Sequence, residues 1–241
     1  MALQWQEDSI ILSSRLFTEN SRIVTVFNAS IGKTSGLVKN FKTPIQLGDI
    51  SNVFWRGRSI DQLGTFKLEN IFSPFTHIFN KMPRILALES ACFLCCRGLS
   101  ERAPHPKLYD ALKALLLSIS RENWLMNYAF FEINFLSEVG VGLDLSKCAL
   151  TNKTEDLFYV SPRTGCAATR DAGEKYKDRL FILPKFLVTK NDNPSNDDIF
   201  RALAITEHFL KMYFYDISNG KLPLSRDYLM AELAEKIKGA A

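Results

Sequence analysis

The sequence predicts an α+β multidomain protein in which a small N-terminal β-barrel precedes a mainly helical region. Two observations carry this, and a third bears on the partner. Hydrophobic spacing changes from a strand-like to a helical period near Pro83. Of the 241 residues, 46% are hydrophobic, too many for a disordered chain and enough for a core without disulfides. The net charge is only +4, which permits a nucleic-acid partner without requiring one.

Residues 1 to about 72 read as strands. Ser9–Arg15, Arg22–Phe27 and Gly36–Lys39 are short runs rich in β-branched and aromatic residues, separated by Asn, Gly and Ser. Ile50–Arg56 and Leu63–Leu68 complete the set, divided by a turn-like Gly57–Asp61. Five strands with no helix between consecutive ones favour closure into a barrel, because closure removes the edges an open sheet exposes. The OB-fold has this size and strand count, with a small SH3-like barrel as its rival.

Helical spacing then takes over. Ile85, Leu88, Cys92, Cys95 and Leu99 lie on one helical face, and Pro106 opens a second helix through Leu108, Leu112, Leu115 and Ile119. Trp124, Tyr128, Phe131, Phe135 and Val139 form a third face, which Gly140 ends as a C′ residue. The three helices are expected to pack as a bundle. From Asp144 to about Leu187 the period fades into an irregular lobe, with Phe158–Val160 as a strand and Ser161–Gly165 as a tight turn. The polar Lys190–Asp197 supplies N-cap residues for a helix through Ile199, Leu203, Phe209, Leu210 and Tyr213. A last helix starts near Ser225 and carries Leu229, Leu233 and Ile237. The expected domains are 1–80 for the barrel and 81–241 for the helical part, with the lobe at about 144–188 and closing helices at about 196–238.

No stretch approaches the ~20 uninterrupted apolar residues of a spanning helix, and Met1–Asp8 is polar and acidic rather than leader-like. Five cysteines, an odd number, fit a reducing cytosol rather than a secreted disulfide framework. Gly32-Lys33-Thr34 is the tail of a phosphate-binding loop, but the Gly it needs five residues earlier is Phe27; a β-turn exposing Lys33 is the better reading. Cys92 and Cys95 match C-x-x-C, yet no second pair is present to complete a zinc site. The three histidines stand in no hydrolase or metalloprotease motif, so neither a catalytic centre nor a cofactor is expected.

The charge is informative once located. Between Ser30 and Ile60 the bases are Lys33, Lys39, Lys42, Arg56 and Arg58, and the one acid is Asp49, a surplus equal to that of the whole chain. Phe41, Phe54 and Trp55 are interleaved with these bases. Lys and Arg neutralise phosphates, and aromatic faces stack on unpaired bases. Alternation places Phe54 and Arg56 on one face and Trp55 on the other, so at least one ring is expected in the core. The expected DNA-binding set is Lys33, Lys39, Lys42, Arg56 and Arg58, with Phe41 or Trp55 for stacking.

The order of elements, together with particular stretches, resembles the RecO family of bacterial recombination mediators. The stretches are Trp5–Arg15, Ile23–Phe27, Gly32, Gly36–Lys39, Val53–Arg56, Leu63, Phe135–Cys148, Tyr159–Gly165, Leu183–Leu187 and Gly220–Arg226. The resemblance implies an N-terminal OB-fold and a non-enzymatic role in the bacterial cytoplasm, with the nucleoid. It implies binding of single- and double-stranded DNA and annealing of complementary strands. It further implies contact with the acidic tail of single-stranded DNA-binding protein, and work with RecR, and possibly RecF, in loading RecA; no membrane is involved. Many relatives hold zinc with paired cysteines after the bundle, whereas here Cys148 and the displaced Cys166 remain, as in a metal-free branch. Lys147, Arg163 and Arg170 are the candidates for holding the partner's acidic tail. The alternative is a protein-interaction scaffold that uses its helices and ignores DNA.

Overall fold

The computed structural model describes residues 3–41, 44–60, 62–189 and 193–239, with side chains through residue 236. Lys42, Asp61, the connector residues 190–192 and the side chain of Ile237 lie outside the described residues. The chain divides into two compact units, Met1–Trp124 and Leu125–Ala241.

The first unit begins with five strands: β1 (Leu3–Thr18), β2 (Ser21–Asn28), β3 (Gly32–Lys39), β4 (Ile50–Gly57) and β5 (Thr65–Phe72). They close into a barrel in the order β1-β2-β3-β5-β4, with β3 and β5 parallel through Leu37 opposite Thr65 and Val38 opposite Phe66. The long first strand makes closure possible: its first half pairs with β4 and its second half with β2. This is the OB-fold expected from strand count and size. The barrel interior holds Ile11, Val24, Val26, Val38, Val53, Trp55 and Phe66. Each buried side chain of this size contributes about 1.5–3 kcal/mol relative to an exposed one.

Three helices follow: α1 (Phe75–Ile78), α2 (Met82–Gly98) and α3 (Pro106–Ser118), the last with Pro106 at its first turn as expected. The expected bundle of three long helices is divided. The helices α2 and α3 pack on the barrel, while α4 (Trp124–Glu138) falls in the second unit apart from its first residue. The cause lies on the outer face of β1 and β2. Phe27 there is fully buried with its ring edge-on to Tyr109 of α3, and the Tyr109 hydroxyl donates to the Asp8 carbonyl at 3.1 Å. One sheet face therefore fills the barrel and the other seats helices, so this compact unit extends past residue 80.

In the second unit α4 ends in a paired C-terminal motif: Gly140 N–H donates to Ser137 O and Val141 N–H to Leu136 O, with Gly140 at φ +81°. The lobe expected to be irregular is a four-stranded sheet. It is built from β6 (Asp144–Cys148), β7 (Leu157–Val160), β8 (Cys166–Thr169) and β9 (Phe181–Ile182) in the order β6-β8-β7-β9. Strands of two to five residues are too short to show a period, which is why the sequence reads as irregular there. A short helix α5 (Arg170–Gly173) follows β8. Then come α6 (Asn196–Tyr213), α7 (Tyr215–Ser218) and α8 (Leu224–Gly239). The start of α6 is a full capping box between Ser195 and Asp198.

The second unit has a polar centre. Arg226 and Glu132 are both fully buried, and the guanidinium meets the carboxylate in two parallel hydrogen bonds of 2.7 and 2.9 Å. Arg226 also donates to Glu207 Oε2 at 3.0 Å and to the Leu203 carbonyl at 2.8 Å, while Thr206 donates to Glu132. The network ties α4, α6 and α8 into one orientation. Removing one member would leave the other charge buried and unmatched, at a cost of about 3–5 kcal/mol.

Candidate nucleic-acid interface

The barrel separates the expected DNA-binding residues into two groups. Lys39 is exposed at the end of β3, Arg56 is exposed on β4, and Arg58 is exposed in the β4–β5 connection. Arg56 lies opposite Thr65, which lies opposite Leu37 of β3, two residues before Lys39. Residues paired this way share a face, so Arg56 and Lys39 stand on the outer surface of β4 and β3, with β5 between them.

Lys33 and Trp55 belong to the other group. Lys33 is only 8% exposed, and its Nζ donates to the Cys96 carbonyl at 2.8 Å. That carbonyl is in the last turn of α2, where unpaired C=O groups and the negative end of the helix dipole favour a cation. Arg102 N–H donates to the Lys33 carbonyl, so the α2–α3 connection covers this part of β3. The expected exposed turn is thus a clamp between barrel and helix. Gly32 explains the closeness: a Cβ there would lie 2.1 Å from the Ala103 carbonyl oxygen, and φ is +84°.

Trp55 is 1% exposed and points into the barrel. Its ring stacks on Trp5 at 6.2 Å, and Nε1 donates to the Leu63 carbonyl at 3.2 Å. A Cβ at Gly57 or Gly64 would collide with this ring, so two glycines shape its slot. Trp55 is a core residue and leaves the stacking role. Phe41 is half-buried against the core cluster, with the Arg22 guanidinium 5.6 Å from its ring centre. Arg22 is held by Ser14, to which it donates from Nε at 2.7 Å. Phe54 is half-buried on the outer face, in a shallow groove with Gln6, Asn52, Lys67 and Glu69.

Sequence reasoning missed two residues on this barrel. Arg15 and Phe17 are both exposed near the end of β1. The sequence does carry the signal, since an aromatic beside the polar Thr18–Arg22 turn has little to pack against, although the strand pattern itself extends only to Arg15.

The three candidates for an acidic partner tail are exposed but not gathered. Lys147 lies on β6, Arg163 in the β7–β8 turn, and Arg170 just past the opposite end of β8. Arg170 has the apolar neighbour such a site needs: its guanidinium sits 3.5 Å over the Phe158 ring. Phe158 in turn lines a groove with Ile182, Pro184, Lys185, Phe186 and Arg201.

Cys148 is buried, and Thr169 Oγ1 donates to its sulfur at 3.9 Å. Burial opposes ionisation of this thiol. Hydrogen bonds from the Thr151 side chain and from the backbone of Thr169, Leu150 and Thr151 outweigh it and bring the thiol down to about 6. Among the described residues no group of three or more His, Cys, Asp and Glu is placed to hold a metal. No helix among them is long and apolar enough to cross a membrane.

The first unit is thus an OB-type barrel with Lys39, Arg56 and Arg58 exposed on its surface, and the second a helical region with its own small sheet. Comparison with known proteins makes this particular. The family description "Recombination protein O N terminal" matches residues 1–75, and "Recombination protein O C terminal" matches residues 81–221. The chain is 36% identical to the DNA repair protein RecO of Rhodospirillum centenum over 93% of its own length and 92% of the relative's. It is 34% identical to the DNA repair protein RecO of Caulobacter vibrioides over 99% and 98%. The chain belongs to the RecO family.

Proposed function

We propose that this chain acts in DNA repair as a recombination mediator: a non-enzymatic protein that binds single- and double-stranded DNA and anneals complementary strands. With RecR, and possibly RecF, it helps load RecA onto DNA coated with single-stranded DNA-binding protein, in the bacterial cytoplasm. The observation that carries the reading is the outer face of the OB-barrel, where Lys39, Arg56 and Arg58 are exposed while Lys33 and Trp55 are turned to structural use. Bases spread over a sheet surface hold phosphates without reading base edges, which leaves those edges to pair with a second strand. Shielding two backbones at once is what annealing requires.

Arg170, with Lys185 and Arg201 beside the Phe158 groove, is the best of the basic positions for the partner's acidic tail, because a carboxylate needs a cation next to an apolar seat. Lys147 and Arg163 do not line this groove and take a lesser place in the proposal.

The test is annealing of complementary strands coated with single-stranded DNA-binding protein, without ATP or metal. Acceleration by the purified chain is expected. No acceleration at low salt, where electrostatic attraction is strongest, would sink the mediator reading and favour the scaffold.

A further inference from the structure

We infer that the tip of the β1–β2 hairpin, with Phe17 at its centre, is the base-stacking element of the barrel for single-stranded nucleic acid. This rests on the DNA-binding reading above and names the residue that sets preference for unpaired over paired strands. Leu16 is 63% and Phe17 61% exposed, at a hairpin tip where large apolar side chains gain nothing from folding. Every other aromatic side chain described in the barrel is buried or half-buried, so Phe17 is the ring most open to solvent there.

The local geometry supports presentation rather than fraying. The register of β1 against β2 shifts between Leu16 and Thr18, leaving Phe17 as the extra residue of a bulge, a device that re-aims a side chain. The tip is tied down on its far side, where Asn40 N–H donates to the Asn20 carbonyl at 2.8 Å. Thr18 and Ser21 also share a hydroxyl hydrogen bond of 2.5 Å across the turn. A turn whose backbone is held this way needs little ordering on binding.

The charges around it suit a phosphate backbone. Arg15, two residues before Phe17, is exposed, and so is Lys39, whose partner in the β2–β3 ladder is Ser21. Glu19 is the acid in the turn. A strand running past Arg15 and Lys39 brings an unpaired base over Phe17, and every base has a face on which to stack. Duplex bases are already stacked, so Phe17 adds nothing to their binding.

The experiment is fluorescence anisotropy on the full chain, with a labelled oligo-dT and a labelled duplex of equal length. Phe17→Ala should weaken oligo-dT binding by on the order of tenfold, with duplex affinity, the salt slope and thermal unfolding unchanged. Phe17→Trp should restore oligo-dT binding, and its fluorescence should fall as the strand binds. Wild-type oligo-dT affinity in Phe17→Ala would overturn the inference, as would an equal loss on duplex. So would full rescue by Phe17→Leu, because leucine keeps the apolar contact and loses the stacking face. If the wild-type chain binds neither DNA at low salt, the DNA-binding reading itself falls and the stacking role falls with it.

Discussion

Lys33 and Lys39 lie on one strand, share its outer face and do different work. Lys39 faces solvent, whereas Lys33 donates its ammonium to the end of a helix. Lys33→Met keeps the buried stem and removes that bond, so it should cost about 1–2 kcal/mol of stability, read as a shift of the urea midpoint. The salt slope of DNA binding should stay as it is. Two glycines make a similar contrast. Both Gly32 and Gly140 have positive φ, but a Cβ at Gly140 would meet nothing within 4 Å, whereas one at Gly32 would strike the Ala103 backbone. Gly140→Ala is expected to cost about 1 kcal/mol, and Gly32→Ala at least about 2 kcal/mol because backbone must move as well. Equal losses in denaturant melts would refute the collision. None of these differences is legible from residue type, since alternation assigns two faces to a strand without saying which one a neighbouring helix will cover.

At the scale of elements, the strands of the barrel and the long helices were legible because each carries several repeats of its own period. Pro106 and Gly140 mark helix ends as expected, one by a missing N–H and the other by its left-handed conformation. Of the sheet β6–β9 only β7 is legible, as Phe158–Val160; the rest is hidden because its strands are short and two of its pairings join residues distant in sequence. Cys148 belongs to this sheet, and its thiol at about 6 lies below the ordinary 9. A depressed pKa contributes stability that is full above pH 9 in this case and is lost as pH falls through about 6. The second unit should therefore gain stability between pH 6 and 9, and Cys148→Ala should flatten that gain. Parallel pH profiles for the two proteins in urea melts would show that the thiolate contributes nothing.

For the whole molecule, the net charge of +4 says little until it is placed. The structure narrows the basic segment further, because Lys33 is spent on the fold while Lys39, Arg56 and Arg58 remain at the surface and Arg15 joins them. Charge reversal of Lys39 and Arg56 together should lower the slope of log affinity against log salt by about 1–2 units on single strands. Stability should hold, because both side chains are exposed. An unchanged slope would move the DNA path to another surface, such as the basic 163–185 segment.

The sequence by itself determined the barrel strands and the long helices, the basic segment and, through the resemblance, the family. Period, turn residues and ordered stretches are local properties of the chain. Only the tertiary structure decided that Trp55 fills the barrel, that Lys33 clamps a helix, that α2 and α3 seat on β1 and β2, and that Phe17 stands in solvent. Those outcomes depend on β3 meeting β5 to close the barrel and on which outer face then receives the helices. Both are contacts between residues far apart in sequence, and no local pattern encodes them.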